Sequence, residues 1–196
     1  MAPGSFPKLR FSSAEELCAV LAPGEEAGAV LAPRQGAAEF LAALATAGLL
    51  VDAIRYLAVA LPRREAVWWA CAARRRMPAA ESEPERAAWQ AAETWVYEPT
   101  EPNRQATYAH AEGLKFDTAG AYAALGAFWS GGSLAPPETG QHIPPGDGLT
   151  GSAVGAAVMF RCVPGEAGTI AERHRLALET GFDIARGGSG VAGSAS

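Results

Sequence analysis

The side chains of this sequence that could do chemistry are few and scattered. His110, His142 and His174 share no metal-ligand spacing, and His174 falls on a helical face beside Leu178, where a packed or hydrogen-bonded imidazole is the simpler reading. Cys18, Cys71 and Cys162 include no Cys-x-x-Cys pair. An odd count without that spacing reads as reduced thiols, and Cys71 and Cys162 sit among apolar neighbours, as small hydrophobes do. The serines of SGGS at 130–133 lack the Gly-x-Ser-x-Gly elbow that exposes a nucleophile. Gly131 and Gly132 follow a helix end, whereas a phosphate cradle needs glycines that lead into a helix amino end. Glu83, Glu85, Glu93, Glu98 and Glu101 form an acidic region in which no pair is singled out for acid–base work. The sequence therefore assigns no catalytic residue, no cofactor and no metal site.

Two features remain. Arg63 and Arg64 fall in the first turn of a helical stretch, where cations oppose the macrodipole. Glu65, a carboxylate on another helix, or a partner must compensate them. Residues 131–149, GGSLAPPETGQHIPPGDGL, hold two Pro-Pro pairs and five glycines. Loops of this length inside a compact domain tend to be functional or mobile. Its Leu134, Pro136, Pro137 and Ile143 lie on stiff apolar segments that lose little entropy on docking. Either the loop lies back across the bundle and closes the core, or it binds a partner. Arg63, Arg64, Leu134, Pro136, Pro137 and Ile143 are the candidate partner-binding residues.

The elements that must position these residues read as helices. LPRREAVWWACAARRRM at 61–77 is the centre: Pro62 suits a first helical position, Glu65 the first turn, and Arg74, Arg75 and Arg76 the last turn. Trp68 and Trp69 point about 100° apart on a helix, so one narrow apolar stripe cannot hide both. A helix covered on two sides accounts for them. Around it the pattern predicts helices opened by a capping box at Ser13 and Glu16, over Pro33–Ala47, over Leu49–Ala60, and after the caps Ser82 and Thr100. Further helices open at Asp117, at Thr150, and at about Gly165 to run to Arg186. The expected architecture is an all-α, single-domain, multi-helix bundle of about eight or nine helices with one long Pro/Gly-rich loop. Residues 1–11 are an irregular arm, 12–187 the helical domain, and 188–196 an expected disordered tail.

Length and composition agree with a globular protein: 196 residues, 49% hydrophobic and 19% charged. The net charge of −5 argues against nucleic-acid binding, which calls for a basic patch. No apolar run reaches the roughly 20 residues needed to span a bilayer, and the amino end lacks an apolar signal core. A cytoplasmic protein without membrane insertion is expected, its oligomeric state unread.

The chain resembles an uncharacterised bacterial helical family, a domain of unknown function. The resemblance lies in LPRREAVWWACAAR at 61–74, FWSGGSLAPP at 128–137 and the ending GLTGSAVGAAVMF…AERHRLALETGFDIARGG, over about residues 35–187. It carries no transferable activity. It implies a link to bacterial type VI secretion gene clusters, and hence an accessory or adaptor protein whose partner is a secretion component. The leading functional expectation is thus a non-enzymatic protein-interaction protein. The alternative is an enzyme or small-ligand-binding bundle whose polar residues converge only in three dimensions.

Overall fold

The structure, a computed structural model, describes residues 6–136, 139–164 and 167–191. Among them are ten α-helices and no strand. They are α1 (Ala14–Val20), α2 (Glu25–Ala29), α3 (Ala37–Thr46), α4 (Leu50–Ala60), α5 (Arg63–Arg76), α6 (Glu83–Tyr97), α7 (Glu101–Gly113), α8 (Ala119–Phe128), α9 (Leu149–Cys162) and α10 (Ile170–Ala185). The fold is the expected all-α multi-helix bundle. Several boundaries follow from caps that the sequence shows. Ser13 and Glu16 close a capping box, and the hydroxyls of Ser82 and Thr100 accept the N–H groups of Glu85 and Asn103. Gly48, at φ 78°, ends α3 as its left-handed stop, with its own N–H on Ala45 O and that of Leu49 on Leu44 O.

Other boundaries differ from the sequence pattern. α2 is a single helical turn behind Pro23-Gly24, too short to show periodicity. α3 begins at Ala37 rather than Pro33, because Arg34 adopts φ 59° and Glu39 reaches back to the Gly36 N–H instead. Pro62 is the cap of α5 rather than its first helical residue. Thr118, not Asp117, caps α8 by accepting the Ala121 N–H at 3.1 Å. Thr150 lies inside α9, and its hydroxyl donates to Trp129 O at 2.9 Å, tying α9 to the end of α8. α10 starts at Ile170, while Gly165 and Glu166 lie outside the described residues.

Helix α5 lies inside the bundle. It packs against α6, α8, α9 and α10, while α4 is held by α3, α9 and α10 and touches α5 little. Chain neighbours α4 and α5 turn at Pro62, and α9 and α10 fill the space beside both. Trp69 is fully buried in this centre, and its indole Nε1 donates to Ala177 O on α10 at 2.8 Å. The ring fits because α10 presents Gly181: a Cβ there would stand 2.7 Å from Trp69 Cε2 and 2.6 Å from Leu57 Cδ2. Gly151 does the same for α9, where a Cβ would meet Val59 Cα at 2.7 Å.

Trp68 departs from the expectation of two buried indoles. It is half-buried at the rim, with Arg75 stacked 4.8 Å from its ring and Tyr97 edge-on at 5.8 Å. Helix α5 is covered on several sides, but the 100° offset turns this ring into a cleft rather than into a neighbouring helix.

The arginines ending α5 reach three different neighbours. Arg74 grips Glu81, Arg75 pairs with Glu93 on α6, and Arg76 donates to Thr180 Oγ1 on α10 at 2.9 Å. Glu81 also receives Arg161 of α9 at 2.8 Å, with only 7% and 5% of the two side chains exposed. Both guanidinium groups hold the Glu81 carboxyl below its ordinary range, the Arg74 hydrogen bonds most of all.

Trp69→Ala is expected to cost about 3–5 kcal/mol in urea denaturation, the range for emptying a buried aromatic site. Trp68→Ala should cost about 1–2 kcal/mol, since it surrenders half-burial and leaves no internal void. Equal losses at the two positions would contradict the placement of Trp68.

Candidate functional site

The first turn of α5 sends its two arginines in opposite directions. Arg63 Nη1 donates to Ser130 O at 2.8 Å, and its Nη2 lies 3.3 Å from the Asp147 carboxylate, which Arg10 also approaches at 3.7 Å. Ser130 and Asp147 are the two ends of the Pro/Gly-rich loop, so Arg63 cinches its neck. Arg64 turns away and gives its Nε–H to Val96 O at 2.6 Å, capping a carbonyl in the last turn of α6. Arg63 thus finds a carbonyl and a carboxylate within the chain, whereas Arg64 is held by a single carbonyl through its Nε.

The loop is built on Ser133. Its hydroxyl accepts the N–H groups of Ala135 and Ile143, each at 3.1 Å, and donates to Gln141 O. Leu134 N–H meets Ile143 O at 2.8 Å. Beneath this base lies Arg104 of α7, 3% exposed, whose guanidinium holds Phe128 O, Ser133 O and the Glu101 carboxylate and stacks on the Phe128 ring. Leu134 packs on a small second core formed by Ala88, Ala111, Ala124, Leu125, Phe128 and Ala153. Pro136 and Ile143 point outward, Ile143 at 48% exposure, while Pro137 lies outside the described residues. The base of the loop therefore closes the bundle, and among its described residues Pro136 and Ile143 are exposed on the outer side.

Arg64 leads to a cleft that the sequence did not single out. With a volume of about 290 Å³, it is lined by Lys8, Arg64, Glu65, Trp68, Val96, Tyr97, Ile184, Gly188 and Ser189. Residues 188–191, read from sequence as the start of a disordered tail, turn back here. The Trp68 indole donates to Ser189 O at 2.7 Å, and the Gly190 N–H reaches the Asp183 carboxylate at 2.9 Å. Residues 192–196 lie outside the described residues. Tyr97 is the most exposed large apolar side chain among those described, at 62%, and stands over Trp68. Lys8 Nζ lies 3.9 Å from Glu65, the limit of an ion pair. A broader depression of about 440 Å³ on α3, lined by Glu39, Ala42, Ala43, Thr46 and Ala47, presents little beyond alanine methyls.

The remaining candidates for chemistry stay apart. Among the described residues no three His, Cys, Asp or Glu side chains are placed for a metal ion. Burial pushes the Cys71 thiol up to about 12 and that of Cys162 to about 11, which makes both poor nucleophiles. Burial also lowers His174, on α10, below its ordinary value. The acidic region is divided among separate partners, with Glu93 on Arg75, Glu101 on Arg104 and Glu85 near the Gly120 N–H.

The family model described as "Family of unknown function (DUF6931)" matches residues 40–185. The chain belongs to this family. No curated protein and no solved structure matches it. In this member the family segment supplies Arg64, Glu65, Trp68, Val96, Tyr97 and Ile184 of the cleft, whereas Lys8, Gly188 and Ser189 come from the flanks.

The loop anchor carries a pH signature. The Arg104 guanidinium holds the Glu101 carboxyl down at about 2, with the Gln105 amide as a smaller cause. The stability it contributes is fully present above the ordinary carboxylate range and is lost as the pH falls through about 2. A carboxyl-carbon NMR titration should place the Glu101 midpoint near 2, and Glu101→Gln should flatten the acid limb of the stability curve. A midpoint in the ordinary range would separate Glu101 from the latch.

Proposed function

We propose that this protein is a non-enzymatic adaptor or accessory protein that docks a partner protein around the first turn of α5, with the Trp68–Tyr97 cleft as the anchoring point. The observation that carries this reading is the composition of the cleft: Trp68, Tyr97 and Arg64 stand together at one solvent-facing opening. These are the residue types that dominate binding energy at protein interfaces, where an aromatic or Arg anchor fills a small desolvated pocket. A volume of about 290 Å³ suits one inserted side chain and lies at the floor of the range used by small-molecule sites. Tyr97 at 62% exposure is a large apolar surface held in place without a cover.

The loop adds a second contact. Arg63 ties its neck to the same turn of α5 that bears Arg64, and Pro136 and Ile143 stand exposed on the loop held in this way. Preorganisation of this kind lowers the ordering cost of association. The partner is proposed to be a component of bacterial type VI secretion and the site of action the cytoplasm. The support is the resemblance of the 61–74 and 128–137 segments.

A photo-crosslinking residue in place of Tyr97, introduced in the native host, is expected to capture one discrete protein. The same residue at Val51, exposed on α4, serves as control. Capture at neither position, or the same capture at both, would overturn the docking reading.

A further inference from the structure

We infer that the segment received by the Trp68–Tyr97 cleft is an acidic peptide of the partner, presenting an aromatic or large aliphatic side chain next to Asp or Glu. This deepens the docking reading and rests on it. The argument is an accounting of charge in and around the cleft. Glu93 is neutralised by Arg75, which covers the outer face of Trp68. Asp183 turns its carboxylate to the Gly190 N–H, which holds it in place but leaves its charge, and Glu65 faces Lys8 across 3.9 Å. Arg186 stacks on Phe6 at 5.1 Å, away from the cleft lining.

Arg64 is left over. Its Nε–H is held by Val96 O, and its two terminal nitrogens have no acceptor among the described residues. A guanidinium whose Nε is already fixed keeps a planar pair of terminal donors, the geometry that takes a carboxylate in two parallel hydrogen bonds. Lys8, 41% exposed and only loosely engaged by Glu65, adds a second cation to the same opening. In the lining Arg64 and Lys8 stand beside one carboxylate, Glu65, which faces Lys8, so Arg64 is the cation without an acid of its own. The aromatic wall supplies the apolar part of the recognition: Tyr97 and the exposed edge of Trp68 accept a ring or an aliphatic side chain inserted beside the charged group.

The test is fluorescence anisotropy with a labelled, N-acetylated, C-amidated pentapeptide Asp-Glu-Phe-Glu-Asp against the full chain. Saturable binding is expected that weakens at least about tenfold when the acids are replaced by Asn and Gln. It should fall steeply between about 0.05 and about 0.5 M salt. Arg64→Gln and Tyr97→Ala should each weaken it by about tenfold or more. Tyr97 is so exposed that its removal leaves the core intact, which keeps the test valid if Arg64→Gln loosens the end of α6. Equal binding of the neutral peptide, indifference to both substitutions, or binding only of a version with a free carboxyl terminus would overturn the inference. If Tyr97 captures a protein in the host while the acidic peptide neither binds nor displaces it, docking stands and the acidic chemistry falls. If Tyr97 captures nothing and the peptide does not bind, both fall.

Discussion

The fold depends on one fit, that of the Trp69 ring into the notch of α10 at Gly181, with its N–H turned onto Ala177 O. A fully buried indole must satisfy its one polar atom, and a helix surface offers few carbonyls that can take a second donor. Missing the Cβ of Gly181, α10 comes close enough to supply that carbonyl and to bury the ring face against Leu57. The fit sets the distance between α10, α5 and α4, and α9 closes on the same centre through Gly151. With α5 fixed in this way, the direction of every residue along it is decided, including Trp68 one position earlier.

That direction explains why structural and exposed groups alternate so closely along α5. Rotating by one residue from Trp69 brings Trp68 to the gap between α6 and the returning chain at 188–189. A rotation from Arg63 to Arg64 separates the loop neck from the end of α6 in the same way. The helix is thus an internal frame whose first turn touches both the loop and the cleft.

Much of the architecture was legible because helix signals are local. Capping hydroxyls at Ser13, Ser82 and Thr100, the left-handed stop at Gly48 and the apolar periodicity between them are read within a few residues. The five-residue α2 was not, since one turn has no period to detect, and Thr150 was misread because a hydroxyl near a helix start can serve a distant carbonyl as readily as its own helix. The cleft was only half legible. The doubled tryptophan announced a ring that could not share the buried stripe, yet nothing local said that it would face solvent. No pattern around Tyr97 set it apart, and Lys8, Gly188 and Ser189 arrive from the two ends of the sequence. Arg104 was hidden for a related reason: its importance lies in Phe128 O and Ser133 O, groups no pattern around residue 104 can reveal.

The charged knot of Arg74, Glu81 and Arg161 has a consequence for descent. Glu81 joins the turn before α6 to α5 and α9 through two guanidinium groups, one of them almost wholly withdrawn from water. Losing the acid alone strands both cations, and losing either base alone leaves the others mismatched, so single steps away from this arrangement are each worse than either endpoint. An apolar trio of similar bulk could stand in its place, but a lineage would have to cross a valley of unstable intermediates to reach it. The three side chains are therefore one unit energetically: a change at any of them is tolerated only with matching changes at the others.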